Sequence, residues 1–149
     1  MTLTYGTTAQ RDAYGREAVL SATPVRLLTM LYDRLLVDLG RAEAAQLGSQ
    51  WQIASDNLLH AQAIVAELTS TLRVDLWDGA ADLQALYSYT RTAMVNANVH
   101  RDVNLTRECV TLLEPLREAW HEAAAQTPAA AAAPSTSAGA LGLGSLGVG

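Results

Sequence analysis

Apolar residues recur at three- and four-residue steps along four stretches of this chain, and the alternation expected of strands is weak throughout. Such spacing places apolar side chains on one face of an α-helix. Polar, glycine or proline signals mark the starts and ends of the stretches. The pattern therefore predicts four amphipathic helices and an all-α fold.

The first predicted helix is apolar on more than one side. Thr23 is a good N-cap, and Pro24 suits the first helical position because a backbone N–H there has no intrahelical acceptor. We expect this helix to start at Pro24 and to end at Gly48. A helix this apolar needs more than one packing partner. Its central stripe is Leu28, Leu31, Leu35, Leu39 and Ala42, flanked by Leu27, Met30, Tyr32, Leu36 and Val37.

The second and third helices each have a predicted cap and an inward seam. Ser49 and Gln52 have the spacing of a capping box, which would open the second helix. Asp78 is the expected cap of the third, with Gly79 in its first turn. The second seam is Ala54, Leu58, Ala61, Val65, Leu68 and Leu72, and the third is Leu83, Leu86, Thr90, Ala93 and Ala97.

The fourth helix contains a proline. Asp102, or alternatively Asn104, would cap it. Pro115 cannot bond to the Thr111 carbonyl, which normally costs about 3 kcal/mol unless the helix bends or breaks. We predict a kink near residues 111–115 rather than a helix end. The expected buried side is Leu105, Cys109, Leu112, Leu116, Trp120 and Ala123.

The connections between the four segments are short, so successive helices should be antiparallel. The sequence thus predicts an up-down-up-down four-helix bundle over residues 24–126, preceded by a lead-in or cap segment, residues 1–23. Residues 127–149 contain no charged residue and are rich in alanine and glycine, which predicts a disordered tail. Whether the tail or the lead-in competes for a groove on the bundle is left open.

Composition excludes several classes of partner. The net charge is −5, and the ten basic residues, all arginines, are spread along the chain, so no nucleic acid is expected. The lone Cys109 excludes an internal disulfide. Asp33 and Arg34 interrupt the most apolar stretch, and no signal-peptide pattern opens the chain. We expect a cytoplasmic protein without membrane insertion.

No catalytic or metal-binding arrangement occurs at credible spacing, so neither an enzyme nor a cofactor is predicted. His60, His100 and His121 lie on three different segments, and no Glu-x-x-His motif is present. His60 invites comparison with the phospho-accepting histidine of helical phosphotransfer bundles. Those domains usually keep a lysine close behind the histidine, and this chain has none, so an ordinary solvent-edge histidine is favoured over phosphotransfer.

The order of motifs resembles the flagellar secretion chaperone family (FliS), whose members hold flagellin in the cytoplasm before export. The resemblance covers about residues 14–124. It rests on Tyr14 and the lead-in to SATPVRLLTMLYDRLL, on LLHAQAIVAELTSTL, on GAADLQALYSYTRTAMVNAN and on VTLLEPLREAW. It implies a bundle whose outer apolar groove binds the disordered C-terminal segment of flagellin.

The resemblance also implies roles for individual residues. Tyr14, Ala18 and Val19 match the N-terminal stretch that can cover the groove, with simple fraying as the alternative. Tyr32 and Asp33 would position the start of that cover, unless Tyr32 is a buried residue with a local partner. Two asparagines near the end of the third helix would bond to the backbone of an incoming helix: Asn96 and Asn98.

The residue pattern independently favours a partner for the bundle. Apolar residues remain after the seams are assigned inward, although we expect several of them to be core. These groove candidates are Trp51, Ile53, Ile64, Tyr87, Tyr89, Met94, Val95 and Leu113. The first hypothesis is a chaperone that binds flagellin, blocks its premature polymerisation and delivers it to the flagellar type III export apparatus. The alternatives are a phosphotransfer bundle using His60 and a self-associating structural bundle, and a weak homodimer is left open.

Overall fold

A computed structural model describes residues 24–73, 75 and 78–126. This part of the chain forms four helices and no strand: α1 (Pro24–Leu47), α2 (Trp51–Ser70), α3 (Ala80–Val99) and α4 (Val103–Gln126). The all-α prediction and the start of the first helix at Pro24 are confirmed. The predicted N-cap Thr23, the lead-in and the tail lie outside the described residues.

Two compact units divide the chain. Leu28–Trp120 forms the unit that contains the four-helix core. The described residues 24–27 and 121–126 belong to the second unit, in which Ala124 is buried.

Polar contacts between α1 and α4 show that these helices are antiparallel. Arg117 Nε donates to Asp33 Oδ1 over 2.8 Å, and Arg107 Nε donates to Glu43 Oε2 over 2.8 Å. The partner of the later α1 residue is therefore the earlier α4 residue. Both pairs are partly exposed, so they define direction more than they stabilise.

Two buried contacts connect α1 to α3, which runs parallel to it across the core. The Tyr32 and Tyr87 hydroxyl oxygens are 2.5 Å apart. Gln46 Nε2 donates to the Ala97 carbonyl over 3.2 Å, and Gln46 Oε1 accepts from the Thr106 hydroxyl over 2.7 Å. Because buried polar groups are costly unless paired, these contacts favour one helix arrangement over its alternatives.

The core confirms the second and third predicted seams except at Leu72, which follows the end of α2, and Leu86, both of which are only partly buried. The buried side chains of α2 include Ala54, Leu58, Ala61, Val65 and Leu68, and those of α3 include Leu83, Thr90, Ala93 and Ala97. In α1, the predicted stripe is buried from Leu35 onward, whereas Leu28 and Leu31 pack at the edge of the core.

The predicted buried side of α4 is confirmed at Cys109, but on either side of it the buried positions are one residue later than predicted. Thr106, Cys109 and Leu113 are fully buried, while Leu105 and Leu116 lie at the edge of the core. The physical reason is Thr106, which counts as polar in a hydrophobic pattern but is buried because its hydroxyl has Gln46 as a partner. Trp120 packs against the core, as expected of a residue that closes one end.

The predicted capping box between Ser49 and Gln52 is wrong. Gln50 is the N-cap of α2 and makes no side-chain capping bond, and the Gln52 amide donates to Asp56 instead. Ser49 has a φ of 56° and closes the end of α1, where its N–H donates to the Gln46 carbonyl and the Gln50 N–H donates to the Ala45 carbonyl. This is the Schellman arrangement, in which one left-handed residue satisfies the last carbonyls of a helix.

Replacing Ser49 with glycine should therefore stabilise the protein by about 0.5–1 kcal/mol, since a side chain at positive φ is strained. Urea denaturation would measure the change. Gly48→Ala is the control: Gly48 is not left-handed, and an added Cβ would lie 3.5 Å from the Ala44 carbonyl oxygen, an ordinary contact. A loss of more than about 1 kcal/mol in Gly48→Ala would show that the left-handed residue has been assigned wrongly.

The caps of the last two helices differ from each other. The N-cap of α3 is Gly79, which has no side chain and leaves the helix without a side-chain cap. The prediction that Asp78 caps this helix is therefore wrong by one position. Asp102 does cap α4, where its Oδ1 accepts from the Asn104 N–H over 2.9 Å. Helix α4 continues through Pro115, which confirms that the proline is not a helix end. The kink stays a prediction.

Candidate partner-binding groove

A long concavity runs along the outer face of α2 and α3. It has a volume of about 760 Å³. These are also the two helices whose backbones approach most closely. We call it the α2–α3 groove, and its lining residues are Gln62, Thr69, Ala81, Gln84, Ala85, Tyr87, Ser88, Arg91, Thr92 and Val95.

Small side chains make this groove accessible to another backbone. Ala81, Ala85, Ser88, Thr92 and Val95 follow one another at 4-3-4-3 spacing on α3 and are all exposed. Helices whose contact residues are small pack at the near end of the usual interaxial distance of roughly 8–10 Å. The stretch from the first to the last of these residues is roughly 21 Å long at 1.5 Å per residue. It therefore fits about four turns of a helix.

Exposed apolar residues extend the groove at its edges. Val95 is 41% exposed, and Val99, one turn further along α3, is 68% exposed. Leu59 is 54% exposed and lies one turn before Gln62 on α2. An amphipathic helix that covers residues of this kind would remove apolar surface from water, which is the usual basis of helix-in-groove recognition.

A second, smaller pocket lies beside the turn at the far end of the groove. Asn98 Nδ2 donates to Ser55 Oγ over 3.1 Å there and joins α3 to α2. The guanidinium of Arg101 lies 4.9 Å from the centre of the Trp51 ring. The pocket has a volume of about 290 Å³, and its lining includes Asn98 and Val99. It is more polar than apolar, so it suits a helix end with free backbone groups.

Several predicted groove residues lie in the core instead. Each helix contacts two neighbours, so two adjacent positions per turn are buried, as with Ile64 beside Val65 and Met94 beside Ala93. Tyr87 is 1% exposed and serves both as core and as the floor of the groove. The placement on an outer surface is wrong for Ile64, Met94 and Leu113. Of the other candidates, Val95 lines the groove, while Ile53 and Tyr89 are exposed elsewhere.

The residues expected to position the N-terminal cover have partners within the bundle. The Tyr32 hydroxyl pairs with Tyr87, and burial raises the pKa of both phenols. Asp33 accepts from Arg117, and this contact raises the pKa of the guanidinium. Asn96 is half-buried one turn below the end of α3. The cover residues themselves lie outside the described residues: Tyr14, Ala18 and Val19.

Sequence reasoning missed a buried aspartate beside His60. Asp38 is fully buried, accepts from Arg34 Nε over 3.0 Å and contacts His60 Nδ1, while the His60 side chain is 52% exposed. The signal was present, because Asp38 follows Leu35 by three residues on the inward face. The pair joins α1 to α2 at a partly exposed histidine, which gives His60 a structural role.

The described residues contain neither a candidate membrane span nor a candidate metal site. Among the residues that the structure describes, none of the helices combines the length and the hydrophobicity needed to cross a bilayer. Within the same ranges, no three His, Cys, Asp or Glu side chains gather where a metal ion could be held.

Comparison with known proteins finds similarity to flagellar chaperones. The family model described as "Flagellar protein FliS" matches residues 7–127. The flagellar secretion chaperone FliS of Bacillus subtilis (strain 168) is 32% identical over 111 residues, which cover 74% of this chain and 83% of that protein. The flagellar secretion chaperone FliS of Escherichia coli (strain K12) is 33% identical over 122 residues, which cover 78% of this chain and 88% of that protein.

A solved structure has the same fold. The structure described as "Crystal structure of flagellar chaperone from bacteria" matches with a TM-score of 0.63 at 20% identity, over 76% of this chain and 96% of the other. The antiparallel four-helix bundle predicted from the sequence is thereby confirmed.

Proposed function

Because this chain belongs to the FliS family of flagellar secretion chaperones, we propose that it binds the disordered C-terminal segment of flagellin in the cytoplasm. Binding prevents premature polymerisation, and the complex is delivered to the flagellar type III export apparatus. The role is non-enzymatic, because holding a segment out of assembly requires no bond to be made or broken.

The observation that carries this proposal is the α2–α3 groove with its exposed apolar edge. A bundle without a binding partner would be more stable if Leu59, Val95 and Val99 were covered, yet each is at least 41% exposed. Val95 lines the groove beside a row of small residues that a helix can approach, and Leu59 and Val99 each lie one turn from a lining residue. A helical segment of roughly 14 residues would fill it.

Folding of the flagellin segment, the guest, as it binds in the groove would also explain how the chaperone releases it. A disordered segment loses conformational entropy when it becomes helical, and this cost offsets part of the gain from apolar burial. The complex can then be specific and still dissociate for export. The bundle itself changes little, since the exposed residues that line the groove make no interhelical hydrogen bond within the described part of the chain.

Calorimetric titration of the full chain with a peptide covering the C-terminal segment of flagellin tests the proposal. We expect one peptide per chain, a dissociation constant in the micromolar range or tighter, and a negative heat-capacity change from apolar burial. Circular dichroism should show helix gained by the peptide on binding.

A related measurement distinguishes the competing hypothesis of self-association. Sedimentation of the chain alone and with the peptide should show a monomer that gains one peptide. A dimer that the peptide leaves intact, with no heat of binding, would instead support a self-associating bundle.

A further inference from the structure

Arg91 is an arginine in the α2–α3 groove for which the described part of the chain supplies no partner. It is exposed and lines the groove two turns beyond Gln84. Most other described arginines are engaged. Those within 4.0 Å of a carboxylate are Arg34, Arg73, Arg107 and Arg117, while Arg101 lies over the Trp51 ring.

The surroundings of Arg91 explain why it has no partner within the bundle. The positions three and four residues away on α3 are Tyr87, Ser88, Met94 and Val95, and none of them is charged. Across the groove, the lining residues of α2 are Gln62 and Thr69, which are also neutral. The groove therefore presents a single positive charge within an uncharged lining, on a chain with a net charge of −5.

We infer that the flagellin segment lying in the groove is a helix with an acidic side chain that pairs with Arg91. The inference rests on the proposed function and adds a chemical requirement for the guest. A guanidinium binds a carboxylate through two parallel hydrogen bonds, so the pair would fix register as well as add attraction. Covering the groove with a helix lowers the local exposure to water and strengthens the pair relative to one on an open surface.

The position of Arg91 also gives the guest helix a direction. Arg91 lies about 15 Å along α3 from Ala81 but only about 6 Å from Val95, at 1.5 Å per residue. A guest with one acidic residue nearer to one of its ends can meet Arg91 and still fill the groove in one orientation only. Charge pairs of this type contribute mainly to specificity and to orientation.

The test is charge reversal at Arg91 with a matched control. Arg41 is an exposed arginine of α1 that does not line the groove and that has no partner among the described residues. Titration with the flagellin C-terminal peptide should show at least about tenfold weaker binding for Arg91→Glu and a change of less than about twofold for Arg41→Glu. Arg91→Gln should fall between wild type and Arg91→Glu, because it removes attraction without adding repulsion.

Charge exchange in the peptide identifies the partner residue. Each acidic residue of the peptide is replaced in turn by lysine, and one replacement should weaken binding to the wild type and restore binding to Arg91→Glu. Higher salt should weaken wild-type binding more than binding to Arg91→Gln.

The outcomes separate this inference from the proposed function. Equal binding by wild type, Arg91→Glu and Arg41→Glu would overturn the inferred pairing between Arg91 and an acidic residue of the flagellin segment. It would leave the proposed chaperone function unaffected. Equal losses in Arg91→Glu and Arg41→Glu also overturn it, since they would reflect overall charge. Absence of binding by the wild type would overturn the proposed function itself.

Discussion

Replacing Ser88 with tryptophan is expected to weaken binding of the flagellin C-terminal peptide by about 100-fold, or about 2.8 kcal/mol. Ser88 is exposed near the middle of the α2–α3 groove, between Ala85 and Thr92. An indole carries roughly 150–250 Å² of surface and would occupy the space that a guest backbone needs. The effect is therefore steric and requires no change in the bundle. Calorimetry of wild type and variant with the same peptide would measure it.

Ala44→Trp is the matched control for this variant. Ala44 is an equally small, exposed residue on α1, and it does not line the groove. Both variants should keep the wild-type helix content and urea midpoint, because neither position is buried. If Ser88→Trp bound the peptide as tightly as Ala44→Trp does, the guest would have to lie on another face of the bundle.

The fold was largely predictable because its seams are regular in the sequence. In α2, the run from Ala54 to Leu68 is apolar at every inward position, so the hydrophobic pattern alone specifies the buried face. In α4 the inward positions include Thr106, whose burial depends on Gln46 from another helix. A pattern read along one helix cannot reveal a partner supplied by a different helix, and Leu105 was accordingly predicted to be buried in place of Thr106.

The groove was less predictable, and for a different reason. The search for apolar residues left over after the seams favoured large side chains such as Met94 and Leu113, and these are core. The residues that form the groove are mostly small or polar, such as Ala85 and Ser88, and a hydrophobicity argument gives them little weight. Their regular spacing on α3 was the available signal. It indicates close backbone approach rather than apolar burial.

Asp38 shows a further limit of pattern analysis. A charged residue on an inward face is expected to weaken a helix prediction, yet here the carboxylate is held by Arg34 on its own helix and by His60 on the next. The Arg34 contact could be anticipated, because the two residues are four apart on one helix. The His60 contact required knowledge of how α1 and α2 align.

Raising the pH from 9 to 12 is expected to lower the free energy of unfolding substantially, with the buried thiol of Cys109 contributing up to about 4 kcal/mol. Cys109 is fully buried, and its desolvation raises the thiol pKa from 9.0 to about 12. In the unfolded chain the thiol loses its proton at lower pH than in the native state. The stabilisation is therefore complete below about pH 9 and is lost progressively as the pH rises towards 12. Urea denaturation at a series of pH values would measure the slope.

Between pH 9 and 10 this thiol contributes more to the slope than any one buried tyrosine does, because its unfolded-state pKa is lower than theirs. The chain contains no lysine, and burial raises the pKa of Tyr32 and Tyr87 above 10.0, so these phenols also lower stability as the pH approaches 10, by the same amount in wild type and in a Cys109 variant. Cys109→Ser is the matched variant, since a serine hydroxyl is close in size and can still donate to the Thr90 carbonyl, which the thiol meets at 3.6 Å. In that interval the stability of the wild type should decline more steeply than that of Cys109→Ser, and the difference between the two slopes is the contribution of the thiol. Parallel slopes for the two proteins would mean that the thiol is exposed enough to ionise in the folded bundle, and rapid alkylation of native Cys109 at pH 9 would report the same exposure independently.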